Sequence, residues 1–110
     1  MINGQWEVAR VPFPFTDRAA TKKRPALVLS TRPFNAAAGH TIMAMITKRD
    51  HSVWPQDYDV REWAIAGLKF PSWVRMKFFT IENSLIVDAI GELQPLDVDG
   101  FKKMAEIALW

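Results

Sequence analysis

The sequence predicts a mainly β fold, a small barrel of short strands with one C-terminal helix. Three observations carry that prediction. Short apolar runs bounded by Pro, Gly, Asn or charged clusters fill residues 7–93, a 3.6-residue apolar repeat emerges only after Pro95, and 110 residues at 49% hydrophobic content suffice for one core. The whole chain, 1–110, reads as a single domain.

The first strand runs from Glu7 to Pro12 and stops in Val11-Pro-Phe-Pro-Phe-Thr-Asp17, because two prolines cannot continue a central ladder. The second is Pro25 to Ser30, entered through Lys22-Lys-Arg24. An arginine before a proline is confined to extended backbone, so Arg24 enters that strand with its direction fixed. Thr41 to Thr47 and Trp73 to Lys77 give two more strands, and Ser84 to Leu93 a further one bent near Gly91. Val60 to Ala66 reads as a helical turn ended by Gly67. The terminal helix follows Gln94, with Pro95 at its first position and Val98, Phe101, Ala105 and Ala108 recurring on one face.

The chain has no cysteine, which excludes a disulfide framework and a thiolate metal site. Neither a transmembrane run nor a signal peptide is visible, so the expectation is a cytoplasmic protein that does not engage a membrane. The formal net charge is +2, yet residues 1–49 hold eight Lys or Arg against two acids, and the remainder six against ten. Arg18, Lys22, Lys23 and Arg24 cluster in one predicted loop, with Lys48 and Arg49 in another. Such clusters suit a polyanion, although charge alone favours a solvated loop.

Taken together, Val11-Pro-Phe-Pro-Phe-Thr-Asp17, Lys23-Arg-Pro-Ala-Leu-Val-Leu-Ser30, Met43-Ala-Met-Ile-Thr47, Trp73-Val-Arg-Met-Lys77 with Phe79-Thr-Ile-Glu82, and Ile90-Gly-Glu-Leu93 resemble the MazF/PemK toxins. Each motif alone is common; five in order along one short chain are not. The resemblance implies an SH3-like barrel of the MazF/PemK/CcdB type, a homodimer, RNA as substrate and a cognate antitoxin protein as partner. It also implies an endoribonuclease that needs no metal or other cofactor, with Arg24 and Thr47 as the catalytic pair.

Those residue types suit the reaction. Metal-free RNA cleavage most simply uses the neighbouring 2′-hydroxyl as nucleophile, leaving a 2′,3′-cyclic phosphate and a 5′-hydroxyl. The protein must then stabilise a crowded, doubly charged phosphorane. Arg24 supplies a planar fork of donors and Thr47 a hydroxyl. An arginine stays protonated at ordinary pH, so its electrostatic role is the stronger one. Of the two histidines, His51 follows Lys48-Arg-Asp50 and is the candidate general base, against the commoner fate of an exposed loop histidine. Phe15, Thr16, Arg18, Lys22, Lys23 and Lys48 are the candidate RNA contacts.

The chain departs from many relatives at Lys77, where they carry glutamine, and at Phe79, where they carry arginine. Arg75 and Lys77 alternate with Val74 and Met76, which puts both on one strand face, either lining an RNA groove or paired with Asp57, Asp59 or Glu82. The tryptophans and phenylalanines, Trp54 and Trp73 included, read first as core or dimer packing, except Phe15 in the loop expected to fold over RNA, and the spacing of Trp110 also favours packing. Two other functions stay open. A gyrase-poisoning toxin of the same fold would act through the terminal helix and Trp110, and a non-catalytic nucleic-acid-binding barrel would use the basic loops alone.

Overall fold

A computed structural model describes residues 2–13, 22–50 and 52–110, with only the backbone of Phe13. Among them the chain forms β1 (Glu7–Phe13), β2 (Lys22–Val28), α1 (Arg32–Ala38), β3 (His40–Lys48), β4 (Tyr58–Asp59), β5 (Ser72–Glu82), a 3-10 turn (Asn83–Leu85), β6 (Asp88–Glu92) and α2 (Pro95–Leu109). All strand pairs are antiparallel, in the order β4-β5-β3-β2-β1-β6. The mainly β architecture with a C-terminal helix is therefore present.

The six-stranded sheet curls, and its two edges are joined by packing, not by a ladder. After β4 the chain continues through Val60, whose N–H donates to the Ser72 carbonyl (3.0 Å), and then winds in turns across to β6. There Gly67 (φ +94°) meets Gly91 backbone to backbone. A Cβ built on Gly67 would lie 2.2 Å from the Ile90 carbonyl oxygen, and one on Gly91 2.0 Å from that of Ala66. Only glycine permits this approach at either position. The expected helical turn over Val60–Ala66 is thus a run of turns, although it does end at Gly67.

Each face of the sheet carries its own core. On one, Val8, Leu27, Ala44, Ile46 and Val74 pack with Val60, Leu68 and Phe101 of α2. On the other, Ala9, Val11, Ala26, Val28, Met43 and Ile81 pack beneath Leu85 and Ile86. Helix α2 presents Asp97, Phe101 and the half-buried Val98, Met104 and Ala105 inward, the i, i+3, i+4 spacing expected of one helical face. Burying a side chain such as Phe101 stabilises by about 1.5–3 kcal/mol. The last turn runs past the core: Ala108 is exposed, and Trp110 is 89% exposed, correcting the expectation that it packs.

Asp97 holds the turn segment to α2. This buried carboxylate accepts hydrogen bonds from Tyr58 Oη (2.6 Å) and from the N–H groups of Arg61 and Glu62 (both 2.9 Å). Burial, and next the bond to Asp97, push the Tyr58 phenol above its ordinary value. Helix α1, which the sequence reading left out, is only seven residues long. Thr31 caps its N-terminus, Pro33 sits in its first turn and Gly39 (φ +69°) ends it.

Candidate active-site cleft

Strands β1 and β2 pair all the way from Val8↔Leu27 to Phe13↔Lys22, so both extend beyond the prolines expected to bound them. Pro12 is tolerated because β6 pairs with β1 only between Glu7 and Arg10, leaving that part of β1 with a single neighbour. The correction matters for charge. Lys22, Lys23 and Arg24 stand in a strand, not in the predicted loop, and their side chains start from fixed backbone.

On its other side β2 pairs with β3 only at Ala26↔Met45, Leu27↔Ala44 and Val28↔Met43. Pairing ends beside Pro25, which has no N–H to give. Continued by two residues, the same register puts Arg24 level with Thr47. Beyond Ala26 the strands part and open a cleft of about 600 Å³. Arg24 and Thr47 both line it, half-buried, and Arg24 Nε is withdrawn from solvent.

The cleft wall is one-signed. Arg10, Lys22, Lys23, Arg24, Lys48 and Lys69 line it, and no carboxylate does among the described residues. Two of the cations are also held in place. Lys48 Nζ lies 4.1 Å above the centre of the Phe70 ring, and Arg10 grips Asp88 through paired contacts of 2.8 and 2.7 Å. The hydrogen bonds from Arg10 draw the Asp88 carboxyl below the usual carboxylate range, so Asp88 stays ionised beside the cleft. An oxyanion entering here meets a guanidinium, a hydroxyl and several ammonium groups.

Of the residues anticipated from sequence, the structure brings Arg24, Thr47, Lys22, Lys23 and Lys48 to one cleft. Phe15, Thr16, Arg18 and the candidate base His51 lie outside the described residues. His40 begins β3, about 23 Å along the strand from Thr47, and does not line the cleft. Arg75 does not reach it either. Its side chain is 13% exposed and holds Asp57, itself 3% exposed, through contacts of 3.2 and 2.9 Å, while also donating to the Ser52 carbonyl. The ion-pair alternative, not the groove, describes Arg75. Lys77 is exposed, with its Nζ 5.3 Å from the Trp54 ring centre, and is likewise outside the cleft wall. Arg10, Lys69 and Phe70 were missed. Only Phe70, an aromatic between a lysine and a proline, carried a local hint, since the other two reach the cleft through tertiary packing.

A small curled sheet with a terminal helix and a cationic cleft between parted strands defines a small β protein whose cleft suits an oxyanion. The sequence profile of PemK-like, MazF-like toxins of type II toxin-antitoxin systems matches residues 4–107, and the chain belongs to that family. A comparison by sequence with curated proteins found no match. Among solved structures, the Mycobacterium tuberculosis toxin MazF-mt6 superposes with a TM-score of 0.74 at 20% identity, over 93% of this chain and 94% of that one. MazF from Deinococcus radiodurans gives 0.74 at 15% identity, covering 99% and 97%. An endoribonuclease from a mycobacterial species, in complex with its cognate antitoxin, gives 0.73 at 15%, covering 98% and 93%. At these identities the superpositions establish the fold.

Proposed function

We propose that this protein is an RNA-cleaving toxin, a metal-independent endoribonuclease that cuts single-stranded RNA, messenger RNA above all. The observation that carries the reading is the placement of Arg24 and Thr47 at one register level on a cleft whose other charges are all positive. The structural relatives that are endoribonucleases share the fold, and one of them is held by its antitoxin.

In this reading the 2′-hydroxyl gives up its proton as it attacks the adjacent phosphorus, the P–O5′ bond breaks, and the departing 5′-oxygen takes up a proton. Arg24 binds a non-bridging oxygen through its fork and Thr47 donates its hydroxyl to the same group, both gaining strength as charge accumulates in the phosphorane. The lysines neutralise neighbouring phosphates and fix the strand. A 2′,3′-cyclic phosphate and a 5′-hydroxyl result. A cognate antitoxin with an acidic segment would compete for the same charges. The working unit is a homodimer, a state light scattering in solution checks directly.

The test is cleavage of a long, end-labelled RNA in excess EDTA. Discrete cuts with 5′-hydroxyl ends, lost in Arg24→Ala and in Thr47→Ala, are expected. RNA left intact by the wild type would overturn the reading. A second reading, gyrase poisoning, is favoured by one observation, the exposed apolar end of α2 at Ile107, Leu109 and Trp110. Under it a DNA supercoiling assay would respond to Trp110→Ala and RNA would stay whole.

A further inference from the structure

Beside the cleft the sheet carries a second feature, outside the cleft wall. Thr47 is the direct partner of Trp73 on β5, and directly opposed residues share a sheet face. Trp73, Arg75 and Lys77 then alternate on that face, Arg75 held in and Lys77 exposed. Opposite them β3 supplies only Met45 between Ile46 and Ala44, whereas β5 supplies three residues between Val74 and Phe78. The two extra residues make a bulge, and bulges bend a strand and re-aim its side chains.

Over this bulge folds the segment carrying Trp54. Asp57 accepts from the Trp54 backbone N–H (2.8 Å) and is itself clamped by Arg75, which also donates to Ser52. The Arg75 guanidinium lies 5.4 Å from the Trp54 ring centre and 5.9 Å from that of Trp73, and Lys77 Nζ lies 5.3 Å from Trp54. Trp54 nevertheless keeps 39% of its surface exposed. A buried ion pair and two backbone hydrogen bonds thus fix the segment that carries Trp54, a partly exposed indole with Arg75 and Lys77 over its ring, the lysine having no ion pair among the described residues. Indole faces and nearby cations are what single-stranded nucleic acid uses, one for bases and the other for phosphates.

We propose that Trp54 is a stacking platform for a base flanking the cleaved bond, with Lys77 on the adjoining phosphate, so that single-stranded RNA runs from Arg24 and Thr47 past Trp73 to Trp54. The inference rests on the endoribonuclease reading and adds a base-preference subsite to it. Across the bulge β3 advances only two residues, about 7 Å, while β5 goes from Val74 to Phe78, so Lys77 stands closer to Trp73 than four regular strand residues would put it, within the reach of neighbouring nucleotides. Stacking tolerates any base but favours large ones, so this platform biases the cut site by base size, not by hydrogen-bond pattern.

The experiment pairs binding with cleavage. Binding of a fluorescent, mixed-sequence single-stranded RNA carrying 2′-fluoro groups, which lack the attacking hydroxyl, is measured for wild type, Trp54→Ala, Trp54→Phe and Lys77→Ala. Cleavage of natural RNA is measured in parallel. Stacking contributes about 1–3 kcal/mol per base, so Trp54→Ala should weaken binding roughly 5- to 150-fold while Trp54→Phe recovers most of it. In cleavage the loss should fall on KM more than on kcat, and Lys77→Ala should flatten the salt dependence by about 0.7 in log–log slope. Wild-type affinity and cut-site preference in Trp54→Ala, with the wild type cutting RNA, would overturn the platform and leave the endoribonuclease reading intact. Should the wild type bind the 2′-fluoro RNA through Trp54 yet cut nothing, the platform stands and the enzyme reading falls. A surface that binds only an acidic peptide, with RNA indifferent to Trp54, would overturn the platform in favour of a protein partner.

Discussion

Arg24 and Thr47 line one cleft where Pro25 ends the ladder between β2 and β3, and in the proposed reaction they act together. Each donor removed from a preorganised oxyanion site costs about 100- to 1000-fold in rate. Because both would address one phosphorane, the double substitution should cost much less than the product of the two single losses, and single-turnover cleavage of the three variants measures this directly. Arg24→Lys is not conservative here, since an ammonium cannot reproduce the two-pronged contact, and it should lose most of what Arg24→Ala loses. Tyr58 offers a second test at this scale. It is the only tyrosine in the chain, and burial with its bond to Asp97 raises its pKa above the unfolded value of 10.0. A raised phenol pKa means that the folded state holds the proton more tightly. That stabilisation is complete below about pH 10 and fades as pH climbs toward the folded value. Ultraviolet titration should therefore show no phenolate near pH 10, with phenolate appearing only as the protein unfolds. A phenolate transition near pH 10 with circular dichroism unchanged would contradict the Asp97 clamp.

The closure of the sheet depends on two glycines among the elements. Gly67→Ala would combine a positive φ, costing about 1–2 kcal/mol, with a Cβ driven into the Ile90 carbonyl, and overpacking adds about 1–3 kcal/mol. Urea unfolding should show a loss of about 2–5 kcal/mol for Gly67→Ala. RNA cleavage should fall as well, since Gly67 and Ile90 both line the cleft. Elements with strong punctuation were legible in sequence: β3 between Gly39 and the Lys48-Arg49 pair, and α2 behind Pro95. Those decided by neighbours were not. Strand β5 runs on to Glu82 because β3 pairs with it that far, whereas the bulge breaks the alternation that sequence reading needs after Lys77. Two-residue β4 exists only through Tyr58↔Val74 and Asp59↔Trp73, and α1 hides in seven residues whose sole signs are Thr31, Pro33 and Gly39. The site divides in the same way. Arg24 and Thr47 could be found by resemblance, but Arg10 and Lys69 join the cleft only once β1 and the Gly67 turn are folded against it.

At the scale of the molecule, a net charge of +2 conceals a segregated field. Six cations share one cleft wall while most acids sit elsewhere, several of them neutralised locally, as Asp57 is by Arg75, Asp59 by Arg49 and Asp88 by Arg10. A chain this close to neutral would bind polyanions weakly if its charges were mixed. Sorted as they are, the cleft should bind single-stranded RNA through displaced counterions, with log affinity falling against log salt by about 0.7 per phosphate neutralised. With Arg10 already paired to Asp88, four to five contacts give a slope of about −3 to −3.5, roughly a fifty- to hundredfold loss between 50 and 200 mM salt. Substituting Lys22, Lys23 and Lys48 together by Gln should cut that slope by about 2 without altering the fold, because all three are exposed. Titrating 2′-fluoro RNA at four salt concentrations measures both slopes. A wild-type slope near zero would mean that the cleft's charge is not what holds RNA. An equal slope in the triple variant would move the electrostatic contact to the face of Trp54 and Lys77.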